Sequence, residues 1–181
     1  MLSKKVAKAL NEQINKEMYS AYLYMSMSAC SNKVGLKGFA NWFMVQYHEE
    51  MFHAMKLYEY VQRQGEDIKL EAIKCPPSEF SSQLDMFTQT LAHEQHITKS
   101  LNDLMELAIS QKDHATKIFL EWYITEQVEE EENDNDIIAE LKLIGDNPHA
   151  LLMLDRELAA RVATIPTDYS KGVEAAAKAM A

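Results

Sequence analysis

Apolar residues recur at alternating spacings of four and three along four long stretches of the chain, the repeat that turns one stripe of a helix toward a bundle core. The first stretch runs from about Ser3 to Lys33 and puts Leu10, Ile14, Glu17, Ala21, Tyr24 and Ser28 on its stripe. The second, from about Leu36 to Gln64, carries Phe39, Phe43, Gln46, Glu50, His53, Leu57 and Tyr60. The third, which opens near Ser82, reads Leu84, Phe87, Leu91, Glu94, Thr98, Leu101, Met105 and Ala108. The fourth, from about Asp113 to Ile144, reads Leu120, Tyr123, Gln127, Glu130, Asp134, Ile137 and Leu141. Gly35, Gly65 and Gly145 stand just past a stretch, where helices stop. Ser82 with Asp85, Asp113, and Asn147 followed by Pro148 mark starts. The pattern predicts four helices of about 30 residues, each about 45 Å long. A shorter fifth is predicted from Pro148 to about Ala163, and residues 164–181 form a tail with no assigned role.

The connections set the topology. Only a few residues separate the first helix from the second and the third from the fourth, so each pair is expected to form an antiparallel hairpin. The link from Gly65 to Ser81 is long enough to span about 50 Å at roughly 3.3 Å per residue. It can therefore run the length of the bundle, which makes the second and third helices parallel. Ile68, Leu70 and Ile73 suggest a link packed along the bundle. The expected fold is all-α, a four-helix bundle with a long crossover and a short fifth helix, in one domain covering residues 1–163.

Composition narrows the class. With 47% hydrophobic and 25% charged residues but only 5 Gly and 4 Pro, the 181-residue chain has the balance of a helical globule and little material for many β-turns. A net charge of -10 repels nucleic acid and anionic membrane surfaces and favours cations as partners. Residues 1–10 hold no apolar core of signal-peptide length, and no window is apolar enough to span a bilayer, so a cytoplasmic location is expected. Cys30 and Cys75 lack a CxxC spacing and are read as reduced thiols.

Each stripe is interrupted near its midpoint by a carboxylate: Glu17, Glu50 with His53, Glu94, and Glu130 with Gln127. In a bundle these meet at one depth. An ionised carboxylate taken into a low-dielectric interior costs several kcal/mol, against a net stability of about 5–15 kcal/mol for a whole domain. No Lys or Arg stands on the stripes at that level, so protons or bound cations must balance the acids. Carboxylates with one imidazole suit two metal ions of moderate hardness. A single polar stripe residue is commonly just locally hydrogen-bonded, but four helices interrupted at one depth are not explained that way.

The constellation resembles the ferritin-like di-iron proteins. The likeness covers about Ser3 to Ala163, and the second helix carries the Glu-x-x-His motif as Glu50-Met51-Phe52-His53. The fourth has Gln127-Val128-Glu129-Glu130 in place of a second copy, which is similar to the non-haem bacterial ferritins and unlike bacterioferritins and rubrerythrins. The resemblance implies that Glu17, Glu50, His53, Glu94 and Glu130 hold two irons, with Glu50 as bridge and Gln127 nearby. It also implies a third iron at Glu49, Glu126 and Glu129 with Glu130, although the acidic run from Glu129 to Glu132 reads on its own as a solvated face. Tyr24, two turns from Glu17, is either a reductant or hydrogen-bond donor beside the metals or a packed bundle tyrosine. Met51 matches the haem-ligating methionine of bacterioferritins, but haem-free relatives share it. His93 and His96 point off the stripe and are expected to be exposed. Lys117 and Leu120 replace the acids that line the iron channel of animal ferritins, so the likeness does not extend to that inlet.

The function so implied is iron storage with ferroxidase activity, in which O2 or H2O2 oxidises Fe(II) and ferric mineral collects inside a hollow homo-oligomer of 24 subunits. The apolar face of the fifth helix, with Leu151, Leu152, Leu154, Leu158 and Val162, fits packing against symmetry mates. The alternatives are a rubrerythrin-like di-iron peroxidase, a haem-containing bacterioferritin-like protein, and a DNA-protecting miniferritin or metal-free bundle.

Overall fold

The computed structural model describes residues 2–180, and among them it contains six helices and no strand: α1 (Lys4–Lys33), α2 (Lys37–Arg63), α3 (Gln83–Ser110), α4 (His114–Ile144), α5 (Pro148–Leu158) and α6 (Val173–Met180). The starts are fixed by side chains that accept orphan amide protons. Ser3 Oγ accepts from Val6 N at 3.3 Å, Ser82 Oγ from Asp85 N at 3.0 Å and Asp113 Oδ1 from Thr116 N at 3.0 Å. Asn147 Oδ1 accepts from His149 N at 3.1 Å and Ala150 N at 3.2 Å, with Pro148 in the first turn.

Helix α2 has no such residue of its own. Its cap arrives from α5, where Asp155 Oδ1 accepts from Gly38 N at 2.7 Å and Phe39 N at 3.0 Å. The approach is so close that a Cβ at Gly38 would lie 1.5 Å from the Asp155 carbonyl oxygen, so only glycine fits.

Helices α1 and α2 pair as one antiparallel hairpin, α3 and α4 as the other, and α1 also packs on α3. The crossover over residues 64–82 is irregular and extended, as its length requires. It is tied to α1 through its backbone: Asn11 Nδ2 donates to the Asp67 carbonyl at 3.1 Å, Asn11 Oδ1 accepts from Lys69 N at 2.7 Å, and Ser26 Oγ donates to the Pro77 carbonyl at 2.6 Å. Because these bonds hold the main chain, the apolar side chains need not turn inward. Ile68 packs on the core, but Leu70 and Ile73 are 61% and 41% exposed, contrary to the expectation from the sequence.

The core divides into two. Leu10, Ile14, Leu57, Leu101 and Leu120 belong to the cluster at one end; Phe39, Trp42, Phe43, Phe87 and Ile138, joined by Leu154 of α5, belong to the other. Between them, in all four long helices, lies a buried polar layer.

One boundary differs from the sequence reading: helix α5 ends at Leu158 and not near Ala163. The tail, to which the sequence reading gave no role, carries a sixth helix. Its helix α6 packs on α2: Val173 N donates to Glu59 Oε1 at 2.6 Å, Arg63 pairs with Glu174, and Val173 is buried. Met1 and Ala181 lie outside the described residues. No helix among the described residues is long and apolar enough to cross a membrane.

Candidate metal centre

The polar layer brings together the acids that interrupt the four stripes. Glu17, Glu50, Glu94 and Glu130 are all buried, as are His53 and Gln127. Glu17, Glu50 and His53 each place one ligand atom within 4.8 Å of the others. Glu17 is oriented by its own helix: Gln13 Nε2 donates to Glu17 Oε1 at 2.8 Å, and Ser100 Oγ of α3 donates to Gln13 Oε1 at 2.6 Å. The other oxygen, Oε2, is buried without a partner, and so is Glu50 Oε1. The His53 ring is clamped edge-on by Trp122 and Tyr123, at centroid distances of 5.3 Å and 5.9 Å. Its backbone carbonyl accepts from Tyr123 Oη at 2.8 Å.

The α3–α4 side of the layer is arranged differently. Tyr24 Oη donates to Glu94 Oε1, while Gln127 Nε2 donates to Glu94 Oε2 at 3.0 Å. Gln46 Nε2 donates to Glu130 Oε2. Tyr24 thus sits beside the acids as a hydrogen-bond donor, stacked on Phe43.

Burial raises the affinity of every acid in the layer for protons, and their mutual repulsion adds to it. Glu17 is pushed up to about 7, chiefly by burial, even though the hydrogen bond from Gln13 and the nearby Glu50 pull it down. Glu50 and Glu130 lie well above the usual carboxylate range, burial being the main cause and Glu94 the next. Glu94 is raised by burial, against the donation from Tyr24 and Gln127. His53 is pushed down to about 3 by burial and by Lys56, so it is a neutral imidazole at physiological pH. The 3.7 Å between His53 Nδ1 and Glu50 Oε2 is therefore ligand spacing and not an ion pair. A neutral imidazole and acids left with unpaired oxygens are the donor set that a divalent metal uses. Metal would replace the protons that hold the layer together without it.

Glu49, Glu126 and Glu129 line a cavity of about 360 Å³ beside this layer, together with Glu130, Lys56 and Arg161. Glu49 and Glu126 are half-buried and Glu129 is exposed, so this second group is open where the first is closed. Arg161 Nη2 donates to Glu49 Oε2 at 2.6 Å.

Sequence reasoning passed over several residues here. Asp134 was placed on its stripe without a role; it is buried with Oδ2 unpartnered, and burial pushes it up to about 8. Gln13 and Gln46 stand four residues before Glu17 and Glu50, a spacing that could have flagged them as donors to the layer. Arg161 gave no signal, because it comes from beyond α5. His93 is a correction: it is half-buried rather than exposed, 2.7 Å from Ser20 Oγ through Nε2 and edge-on to Tyr24, while His96 is exposed. It turns inward because Tyr19 and Tyr24 of α1 offer it an aromatic pocket.

Comparison with known proteins agrees with this geometry. Residues 7–144 match the ferritin-like domain of the ferritin family. The chain is 45% identical over 161 residues to a bacterial non-heme ferritin of Staphylococcus epidermidis, covering 89% of this chain and 97% of the relative. It is 42% identical over 161 residues to that of Staphylococcus aureus, with the same coverage of 89% and 97%. Among solved structures, an open-pore ferritin from the hyperthermophilic archaeon Archaeoglobus fulgidus is 49% identical with a TM-score of 0.89, over 90% of this chain and 100% of that one. An engineered closed form of the same ferritin has the same 49% identity and TM-score of 0.89, over 91% of this chain and 100% of that one. A buried acid layer shared by four helices, set in this bundle and matched over most of the chain, makes the protein a member of the ferritin family.

Proposed function

We propose that the protein is a ferroxidase that stores its product. Two Fe(II) bind as substrate in the buried layer, one toward Glu17 and His53 and the other toward Glu94 and Glu130, with Glu50 between them. The observation that carries this reading is the set of buried acids from four helices with carboxylate oxygens of Glu17 and Glu50 left unpaired. Iron entering the layer displaces the protons held by Glu17 and Glu50, and the negative ligand field then favours Fe(III) over Fe(II). With O2, two Fe(II) each give one electron and two protons are taken up, yielding two Fe(III) and H2O2; with H2O2 as oxidant the same two electrons and two protons yield two waters. Tyr24 and Gln127 hold Glu94 in place, Gln46 holds Glu130, and Gln13 holds Glu17. Glu49, Glu126 and Glu129, with Glu130, receive a third ion on its way out of the layer.

We further propose that the chain assembles as a hollow homo-oligomer of 24 subunits in the cytoplasm, with no nucleic-acid or membrane partner. On α5, Leu154 and Leu158 are buried within the subunit, whereas Leu152 and Met153 are 49% and 61% exposed. Together with Leu70 and Ile73 of the crossover they leave apolar surface that assembly would cover. Fe(II) added to the purified protein in air, with particle size measured in parallel, tests the whole reading. A fast rise in ferric absorbance with iron retained in a large particle is expected; no rise and no retained iron would overturn it.

A further inference from the structure

Arg161 lies beyond the end of α5, yet its guanidinium reaches the acidic cluster beside the buried layer. Its partnership with Glu49, 2.6 Å from Nη2 to Oε2, is largely shielded, the two side chains being 22% and 16% exposed. The guanidinium carbon stands 4.6 Å over the ring of Trp42. Asn41 Nδ2 ties down the main chain that carries it, donating to the carbonyls of Arg161 at 2.8 Å and Leu158 at 3.2 Å. The remaining amino group, Nη1, is buried and has no partner. Lys56, a second cation lining the same cavity, lies instead on the ring of Trp122, 3.1 Å from its centroid. One protein cation is thus engaged with an acid of the cluster, delivered by a segment outside the four-helix bundle.

We propose that Arg161 is a resident counter-cation of Glu49 that the third ion must displace, so that it sets the affinity of the accessory site. This rests on the reading of Glu49, Glu126 and Glu129 as the place of a third ion. The physical reason is competition: a guanidinium and a metal ion cannot hold the same carboxylate oxygen, and two cations on adjacent oxygens repel. The tether through Asn41 and the stacking on Trp42 keep the arm at the site, so its effective concentration does not fall when it is displaced. Arg161 is a positioning residue here and takes no part in electron transfer.

Equilibrium binding of Zn(II), which undergoes no oxidation, to the assembled full-length protein tests this without reference to activity. The unsubstituted protein is expected to take up two ions tightly and a third more weakly. Arg161→Gln should tighten the third by about tenfold, the size expected from removing one half-buried charge-assisted contact, and leave the ion held by Glu17, Glu50 and His53, which Arg161 does not touch, within about twofold. Arg161→Lys, which keeps the charge, should leave the third ion close to its original affinity. Asn41→Ala, which frees the arm but keeps the guanidinium, should tighten it by about threefold, and these two variants carry the test if Arg161→Gln fails to assemble. A third ion bound equally or more weakly in Arg161→Gln and Asn41→Ala would overturn the role of Arg161 alone. Two ions and no third in every protein would overturn the accessory site itself, and this inference with it.

Discussion

The two sides of the buried layer use similar residues to different ends. On the α1–α2 side, Glu17 and Glu50 keep unpaired oxygens and His53 is neutral, so the ligand atoms are free and already within 4.8 Å of one another. On the α3–α4 side both oxygens of Glu94 already accept, from Tyr24 and Gln127, so fewer lone pairs are open to an ion there. The difference begins in the sequence, where α2 carries Glu50-x-x-His53 and α4 carries Gln127-x-x-Glu130. Preorganised donors bind without reorganisation, whereas occupied ones pay for it first, and the two ions should therefore bind unequally.

The strongest way to break this comparison is to remove the free side. His53→Ala should weaken the first ion by about 100-fold or more and slow the initial oxidation of Fe(II) to match, because a direct ligand matters at least as much as the outer contacts that each account for 10–100-fold. Stopped-flow absorbance and metal binding measure the two effects; an unchanged initial rate would mean that the ligand set is wrong. Glu94→Ala, on the other side, should lower the affinity of the second ion while sparing the first.

A swap sharpens it. Gln127→Glu with Glu130→His would give α4 the motif of α2, and the gap between the first and second binding constants should shrink by roughly tenfold if the donor set is its cause. A gap that stays the same would place the asymmetry elsewhere.

Protons reveal the layer when metal is absent. Glu17 and Asp134 have folded values of about 7 and about 8, above their unfolded ones. Each therefore adds stability that is complete at low pH and is lost as pH rises through those values. His53 is shifted the other way, to about 3, and its contribution is lost only as pH falls below about 6.5. Between about pH 6.5 and 8 the acids alone set the slope. The melting temperature of the metal-free protein should fall across that window, and Zn(II) should flatten the fall. Asp134→Asn should stabilise the metal-free protein by about 1–3 kcal/mol at pH 8 and much less at pH 5, as thermal unfolding at the two pH values would show. A smaller effect is expected from Tyr24→Phe, which removes one donor to Glu94 and should slow oxidation by only a few fold while the fold is kept.

Much of this was legible in the sequence because it is local or periodic. The caps at Ser82, Asp113 and Asn147 act within three residues of themselves, and they stand where the sequence put them. The acids on the four stripes could be placed at one depth because helix periodicity fixes which face a residue takes and helix length fixes how far along it lies. What escaped was brought in from far along the chain. Nothing in the spacing of residues 148–161 says that Asp155 will cap α2 or that Arg161 will reach Glu49, and the close approach at Gly38 shows itself only once α5 is in place. Helix α6 escaped for the same reason, since its hold on α2 comes from Glu59 and Arg63, more than a hundred residues earlier. Leu70 and Ile73 misled because a crossover can be fixed by its backbone, leaving its apolar side chains for other partners.

The central claim is that acids from four helices hold iron in one buried layer. Anomalous diffraction from crystals soaked anaerobically in Fe(II) tests it most directly. Two strong peaks are predicted within bonding distance of Glu50, one also reaching Glu17 and His53 and the other Glu94 and Glu130. Density without any peak among these five side chains, in crystals that bind iron elsewhere, would contradict the account.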